Sequence, residues 1–530
     1  MDTTSSRRGA WTYNILLKQA PYIVLWGGIL GFAIFQNFFR LVSINLIYYI
    51  VLEYKDIFPE ELMFSLFTGM IITSYTFYSA GRSWERSTKE IAPVFYPLVL
   101  LIPFFFIPIG VHTPLIFIAT VTVMVFRYFR LISQEAELHF RQFDFKRKRT
   151  GLIIVALFSA GFVAYGFYIQ KRAFDGMYLC WSDWAYFYES MRNTLSGNWF
   201  WLNIRHMNFM GVRFYPGLTI LLPYIMLFDN EYAFFLMSSV VLVSGGVIIY
   251  LLGRRLKFSL FESTFFALGY LLIPGVFNMN LAIFYSFHEI YFVIPLVFLT
   301  FYFFEGKRYV PALLLFLFSM TFKETVPVLW LGFGVVFVLQ RRFKLAAFVI
   351  ITSLTYFSLV NFMVMPWIRQ GMTDISLVRY HKLGDNALQI ALSPFIRPDA
   401  FWGALFRPGT FYFLGTLLLP VFILTLSSPL MLLAMSMVFV FLCIESTDQT
   451  QNIMLHYQSM IITVIMLNSM YAYQRMKNGR TSPWFNILGF GMQSKVGVPV
   501  AVIASTAASL LLCVLFLTQN HISKNGVSHF

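Results

Sequence analysis

Two short polar segments interrupt strongly apolar parts of the chain with residue types that can move protons or bind phosphate. His288 and Glu289 lie in FYSFHEIYFVIPLV, and Lys323 and Glu324 lie in SMTFKETVPVLW. Charged side chains in hydrocarbon are costly, so they are rare there and usually mark function. Adjacent residues on a helix do not face each other, so we expect Lys323 to find its partner at His288 or Glu289. An ion pair that only holds helices together is the structural alternative.

A third candidate is a carboxylate in an aromatic segment. Asp183 lies among tryptophans and tyrosines in KRAFDGMYLCWSDWAYFYESMRNTLSGNWFW, and Asp175 and Glu189 of the same segment are competing carboxylates. Aromatic residues at this position also form interfacial belts in membrane proteins. A solvated aspartate within such a belt is therefore the structural alternative to a catalytic one.

Basic and histidine side chains form a fourth group of candidates. Arg379, His381 and Lys382 lie in RYHKLGDN, and His456 lies at the start of a later apolar run, in MLHYQSM. The N–H groups of these side chains suit phosphate oxygens and sugar hydroxyls. One such group carries little weight, but several groups at one face of a membrane indicate a binding site.

Several common catalytic motifs are absent from the sequence. The zinc-protease motif HExxH fails at His288 because position 292 is Phe292. There is no Walker A sequence, so no nucleotide cofactor is expected, and there is no GxSxG elbow. The cysteines Cys180, Cys443 and Cys513 form no CxxC pair, which disfavours a zinc site and a disulfide framework.

The composition of the chain is that of a membrane protein. Of its 530 residues, 58% are hydrophobic and only 12% are charged. Apolar runs of about 15–30 residues recur, which is the length that crosses a bilayer core of roughly 30 Å. We therefore predict an all-α polytopic transmembrane protein with about 13–15 spans and large external loops. The candidate spans are 22–52, 61–80, 93–110, 113–130, 151–169, 233–252, 261–277, 290–304, 309–322, 326–340, 345–365, 411–426, 429–444, 457–473 and 497–517.

The basic loops predict how these spans are oriented. The clusters FRQFDFKRKRT, RRLK, EGKRY, RRFK and QRMKNGR fall on one side, which the positive-inside rule assigns, with the N-terminus, to the cytoplasm. The same rule explains the net charge of +15, so no nucleic-acid partner is expected. Two longer polar loops, 170–216 and 366–410, are then external. This arrangement requires the segment 213–228 to be interfacial or re-entrant.

Three parts of the chain follow from this topology. Residues 1–150 form an N-terminal transmembrane extension of about four spans. Residues 151–475 form a module that carries both external loops and the candidate residues. Residues 476–530 form a C-terminal loop and the last transmembrane helix.

The order and spacing of several segments resemble those of a known family. The segments are SDWAYFYESMRNTLSGNW, RFYPGLTILLPYIMLF leading to YLLGRRL, GYLLIPGVFNMNLAIFYSFHEI, TFKET and LHYQ. From about residue 151 to residue 470 the chain resembles a bacterial family of polytopic membrane proteins known as a domain of unknown function, DUF2079. That family looks related to the GT-C class of membrane glycosyltransferases, in which an aspartate in the first large external loop after a membrane helix is typical.

The resemblance implies a transferase that takes a sugar from a polyprenyl-phosphate carrier and passes it to a glycan, lipid or protein acceptor. In such enzymes the loop carboxylate is the general base on the acceptor hydroxyl, and this role falls to Asp183, with Asp175 as the alternate. The polyprenyl phosphate leaves as an anion, which calls for cationic donors. The candidates for binding donor phosphate or substrate are Arg205, His206, Arg213, His288, Glu289, Lys323, Glu324, Arg379, His381 and His456.

A metal ion and a location are further expectations. Asp183, His288 and Glu289 could together hold Mg²⁺ or Mn²⁺ at the phosphate, since oxygen and imidazole ligands suit these ions in part. The expected location is the bacterial inner (cytoplasmic) membrane, with the active face external or periplasmic. Two alternatives stay open: a secondary transporter or lipid flippase with charged pairs at the external face, and a non-catalytic assembly subunit.

Overall fold

The computed structural model describes residues 149–478, with gaps at 178–182, 283–284, 371–378, 386, 419–420, 422–423, 426–427, 446–447 and 453–454. These residues belong to one compact unit, Asp144–Gly491. The predicted extension 1–150, except for its last two residues, and the predicted last span lie outside the described residues.

The described part of the chain is mostly helical, which confirms the predicted all-α class. Its sheet structure is a hairpin of β1 (Trp201–Leu202) and β2 (Met207–Asn208). The α-helices in chain order are α1 Thr150–Asp175, α2 Asp183–Leu195, α3 Leu222–Leu227, α4 Glu231–Arg255, α5 Leu260–Leu271, α6 Pro274–Leu281, α7 Val293–Glu305, α8 Tyr309–Met320, α9 Val326–Leu339, α10 Phe343–Leu359, α11 Met365–Arg369, α12 Ala387–Ile396, α13 Pro398–Leu405, α14 Pro408–Leu418, α15 Leu433–Cys443 and α16 Ser459–Lys477.

Three stretches of this part are long and apolar enough to cross a membrane: α1, α4 and Phe343–Arg369, where α10 continues into α11 through a π-helical turn. The pair α5 and α6 makes a fourth candidate, bent by 55° where Pro274 starts α6. Several other predicted spans form shorter apolar helices. They are short because polar segments such as that of Lys323 and Glu324 separate them.

The helices differ in how much of their surface the protein covers. Helix α7 packs against both α4 and α16, and every residue of α16 from Ser459 to Met470 is buried. Although α16 has 19 residues, it is not among the described helices that are apolar enough to cross a membrane alone. In α1 and in Phe343–Arg369 only 22% of the most apolar part of the helix is buried, against 61% in α4. Exposed side chains such as Leu157 and Ile351 give α1 and α10 surfaces suited to lipid.

The segment 213–228 is too short to cross a membrane. A 3₁₀ helix at Pro216–Leu221 runs into α3, and each has six residues. Crossing the bilayer core takes about 20 helical residues. This length agrees with the prediction of an interfacial or re-entrant segment.

Basic residues from separate loops meet at one end of the bundle, which we call the basic end. Lys477 at the end of α16 donates to Glu262 of α5 at 2.8 Å, and Tyr473 donates to the same carboxylate at 2.6 Å. Arg255 lies over the ring of Tyr302, with its guanidinium carbon 3.9 Å from the ring centroid. These contacts agree with the prediction that the basic loops share one side.

Helices α9 and α15 approach each other closely at a glycine. A Cβ atom at Gly332 would lie 2.0 Å from the backbone oxygen of Ala434. A backbone atom cannot move aside as the end of a flexible side chain can, so this contact needs the missing side chain. Gly161 on the exposed face of α1 is different, because a Cβ atom there would meet nothing within 4 Å.

Gly332→Ala is expected to lower the free energy of unfolding by about 1–3 kcal/mol, because the added methyl group forces α9 and α15 apart. The thermal unfolding midpoint of the purified protein in detergent measures this effect. Gly161→Ala is the matched control and should leave the midpoint unchanged or raise it, since alanine favours a helix over glycine by roughly 1 kcal/mol. Equal losses in the two variants would contradict the close packing of α9 on α15.

Candidate functional site

Asp183 begins α2 and lies close to a cation from a later part of the same loop. A carboxylate in the first turn of a helix is favoured by the helix dipole. Asp183 Oδ1 lies 3.8 Å from Arg213 Nη2, and the two side chains are 20% and 21% exposed. The pair is therefore within reach of a ligand while most of its surface is covered.

Arg213 connects this pair to the polar segment around His288. Arg213 Nη1 lies 2.6 Å from His288 Nε2. Burial opposes the charge on Arg213, but the nearby carboxylates of Asp183 and Glu289 outweigh it and raise the pKa above its ordinary value. The guanidinium is therefore a permanent donor that faces Asp183 on one side and His288 on the other.

Glu289 is fully buried and has two partners. Lys323 Nζ donates to Glu289 Oε1 at 3.0 Å, and Glu289 Oε2 contacts His288 Nδ1. Glu289 starts a 3₁₀ helix that leads into α7, whereas Lys323 lies in the connection between α8 and α9. The expected partner of Lys323 is therefore confirmed, and the ion pair joins two different parts of the bundle.

His456, just before α16, stacks on His288. The ring centroids are 3.4 Å apart and the rings are inclined by 22°. Neither nitrogen of His456 has a hydrogen-bond partner among the described residues. Burial lowers the pKa of both histidines well below the ordinary value, so both rings are neutral near pH 7.

Arg379 contacts two residues that the sequence does not identify as candidates, Glu445 and Tyr457. Its Nη1 lies 3.2 Å from Glu445 Oε1 and donates to the hydroxyl of Tyr457 at 3.3 Å. Glu445 is 2% exposed, and Tyr457 directly follows His456. The signal for Tyr457 is its place in the LHYQ segment, and the signal for Glu445 is a carboxylate directly after a predicted span.

Glu324 faces away from Lys323 and binds the segment that carries Arg213. The N–H of Phe214 donates to Glu324 Oε2 at 3.0 Å, and the N–H of Gly217 donates to the carbonyl of Thr321 at 2.9 Å. Burial raises the pKa of Glu324. The two adjacent charged residues of TFKET thus serve different partners, although they lie in the connection between α8 and α9 and not on a helix.

Buried polar side chains support the turn before His288. Gln170 of α1 accepts from Ser286 Oγ at 2.6 Å and donates to the carbonyl of Asn280 at 2.8 Å. Ser286 has φ of +56°, a left-handed conformation that is uncommon outside glycine. The hydrogen bond to Gln170 helps to hold this strained turn, and so to bring His288 towards Arg213.

Asp175, the alternate catalytic residue, lies elsewhere. It is exposed at the end of α1, 2.6 Å from Lys171 Nζ and 2.8 Å from the hydroxyl of Tyr232. Its partners are thus an exposed lysine and a tyrosine, whereas Asp183 joins the buried residues. Three more predicted residues are exposed at the surface rather than buried with His288 and Glu289: Arg205, His206 and His381.

The predicted metal ligands do not fit a shared ion. The guanidinium of Arg213 contacts both Asp183 and His288, so a cation already occupies the space between two of them. Within the described residues, no group of three or more His, Cys, Asp or Glu side chains is arranged to hold a metal. The divalent cation stays a prediction, and no step below uses it.

The fold and the site together define a helical membrane protein with a charged network at one end of its helices. Residues 176–528 match the model of the family described as predicted membrane protein (DUF2079), and the chain belongs to this family. No significant match was found among curated proteins or among solved structures. The matched range contains all the residues of the network that runs from Asp183 to Tyr457.

Lys323→Met should lower the free energy of unfolding by about 3 kcal/mol, because it leaves the charge of Glu289 buried without its cation. Thermal unfolding of the purified protein measures the loss. Lys344→Met, at an exposed lysine of α10, is the control and should have little effect. If the two variants unfold at the same temperature, the Glu289–Lys323 pair does not stabilise the fold.

Proposed function

We propose that this protein is a membrane glycosyltransferase of the GT-C type. It transfers a sugar from a polyprenyl-phosphate-linked donor to a hydroxyl group of a glycan, lipid or protein acceptor. The contact between Asp183 and Arg213 carries the proposal, because it sets a partly exposed carboxylate beside a partly exposed guanidinium. A base and an anion-binding group side by side are what this reaction needs.

Asp183 is the proposed general base. Its carboxylate takes the proton of the acceptor hydroxyl while that oxygen forms a bond to the anomeric carbon of the sugar. The bond from the anomeric carbon to the phosphate oxygen breaks, and its electron pair leaves with the polyprenyl phosphate. The 20% exposure of Asp183 leaves room for a hydroxyl group to approach the carboxylate.

Arg213, Lys323 and Arg379 are the proposed phosphate-binding cations. Their side chains are 21%, 14% and 39% exposed, so each reaches the surface from a largely covered position. Guanidinium groups present paired N–H donors that match phosphate oxygens. Negative charge grows on the phosphate as it leaves, so these contacts strengthen in the transition state and accelerate the reaction.

The location of the reaction belongs to the same proposal. The basic end faces the cytoplasm with the N-terminus, and the charged network faces the periplasmic side of a bacterial inner membrane. The support is the positive-inside rule together with the gathering of Arg255 and Lys477 at one end of the bundle. A lipid-linked donor would then meet Asp183 at the external leaflet.

A secondary transporter or lipid flippase is the second candidate. The buried Glu289–Lys323 pair favours it, because ionisable pairs inside membrane proteins also mark transport pathways. The two candidates differ in what the loop carboxylate does. Sugar transfer requires Asp183, whereas transport through the buried pair does not.

Asp183→Asn is expected to slow sugar transfer by about 100- to 10,000-fold, because the acceptor hydroxyl loses its base. The assay uses the full-length protein in proteoliposomes with a panel of polyprenyl-phosphate sugars and detects products by mass spectrometry. Asp175→Asn should retain transfer, as should Asp399→Asn at an exposed aspartate outside the network.

Full transfer by Asp183→Asn would contradict the proposed base. If no sugar is transferred but lipid scrambling or solute uptake survives in Asp183→Asn, the second candidate gains the support. Loss of transfer in Asp175→Asn, with full activity in Asp183→Asn, would move the catalytic role to Asp175.

Arg379→Gln should weaken binding of undecaprenyl phosphate by about 10- to 100-fold, because a charge-assisted hydrogen bond contributes roughly 1.5–3 kcal/mol. The affinity is measured by native mass spectrometry or calorimetry with the protein in nanodiscs. Arg397→Gln is the matched control, since Arg397 is exposed and donates to the carbonyl of Lys382. Equal affinities of the wild type and Arg379→Gln would remove Arg379 from the phosphate site.

A further inference from the structure

An unbroken run of contacts joins Lys323 to Asp183. It passes from Lys323 to Glu289 (3.0 Å), from Glu289 to His288, from His288 to Arg213 (2.6 Å) and from Arg213 to Asp183 (3.8 Å). Lysine and arginine only donate hydrogen bonds, and an ionised carboxylate only accepts them. A neutral imidazole does one of each. The two cations therefore determine the direction of the hydrogen bonds that they make to Glu289 and to His288.

The tautomer of His288 follows from these directions. Arg213 has no acceptor atom, so Nε2 of His288 must present its lone pair to Arg213 Nη1. The hydrogen of the ring then lies on Nδ1, the nitrogen that contacts the carboxylate of Glu289. The opposite tautomer would set the N–H of Nε2 against the N–H of Arg213.

Packing holds the ring of His288 in place between its two polar partners. The ring of His456 covers one face, with the two ring centroids 3.4 Å apart. The ring of Phe187 meets His288 edge-on, with a centroid distance of 5.3 Å and an interplanar angle of 69°. The side chain of His288 is 0% exposed, so water cannot take the place of either partner. A change at Glu289 is therefore transmitted through the ring to Arg213.

We propose that Glu289 is a positioning residue, which acts on Arg213 through His288. By holding the hydrogen on Nδ1, Glu289 keeps Nε2 free to accept from Arg213, and so keeps the guanidinium directed at Asp183 and the donor phosphate. The catalytic consequence rests on the proposed function, but the tautomer does not.

Glu289→Gln separates this role from simple neutralisation of Lys323. Lys323 donates to the Oε1 position, so the oxygen of the new amide faces Lys323 and its NH₂ group faces His288 Nδ1. Arg213 and the new NH₂ group then both donate towards a ring that has one lone pair. We expect the hydrogen to move to Nε2, where it opposes Arg213, because the guanidinium can turn to Asp183 whereas Lys323 holds the amide in place. A carboxylate that only neutralised Lys323 would not determine the tautomer of His288.

Nitrogen NMR of the full-length, ¹⁵N-histidine-labelled protein in nanodiscs tests the tautomer directly. The His288 signals are those that disappear in His288→Asn. We expect Nδ1 to be protonated in the wild type and Nε2 in Glu289→Gln. Glu262→Gln is the matched control, because it replaces a buried carboxylate paired with Lys477 at the basic end, and it should leave His288 unchanged.

Protonation of His288 on Nε2 in the wild type would overturn the proposal, as would an unchanged tautomer in Glu289→Gln. The wild-type spectrum alone tests the assignment, so the proposal stays falsifiable if Glu289→Gln does not fold. Lys323→Met keeps Glu289 against His288 and should keep Nδ1 protonated, whereas a shift to Nε2 would contradict the relay.

Kinetics test the consequence for catalysis. Glu289→Gln should lower kcat by about 10- to 100-fold, the effect of a misplaced catalytic group, and Glu262→Gln should not. In a His288→Phe background, Glu289→Gln should add little further loss of kcat, because the relay is already broken, and fully additive losses would overturn the coupling.

The relay and the proposed function can fail separately. The expected His288 tautomers without any sugar transfer would support the relay and contradict the proposed function. Sugar transfer by the wild type, together with an unchanged His288 tautomer in Glu289→Gln, would support the proposed function and overturn the relay.

Discussion

A single buried carboxylate, that of Glu289, constrains the site more than any other group. An ionised group without solvent is tolerated only with a partner and hydrogen bonds, and Glu289 finds them in Lys323 and His288. Lys323 belongs to the connection between α8 and α9, so the pair fixes that connection against the start of α7. His288 then engages Arg213, which reaches Asp183. The position of the loop carboxylate therefore depends on how a charge is compensated in the interior.

The backbone repeats the same connections through uncharged bonds. The segment after Arg213 is tied to TFKET by the Phe214–Glu324 and Gly217–Thr321 hydrogen bonds. The turn before His288 is tied to α1 through Ser286. Arg213 and His288 are thus positioned twice, once by their side chains and once by hydrogen bonds of the neighbouring residues. This arrangement suits a site that must keep its geometry while a ligand exchanges some of the ionic contacts.

The sequence predicts the class and much of the network because both follow from strong physical rules. Apolar runs identify membrane helices, and charges in an apolar surrounding need partners, which predicts the Lys323–Glu289 pair although TFKET is a turn and not a helix. Helix lengths were less predictable, since a hydropathy pattern does not reveal the 55° bend at Pro274. The sequence does not predict the exposure of Arg205 or the burial of Glu445, because residue type does not determine which loop side chains turn inward. For the same reason, only the fold shows that Asp183 lies beside Arg213 whereas Asp175 lies beside Lys171.

Helix α16 has a consequence for how the protein is made. It is buried along most of its length, yet it is too polar to qualify as a membrane span alone. A helix of this kind gains little from lipid and much from α7, which packs against it. During synthesis α7 emerges well before α16, so its surface is already present when α16 leaves the ribosome. The placement of α16 therefore depends more on packing against α7 than on its affinity for lipid, and His456, just before α16, takes its place with it.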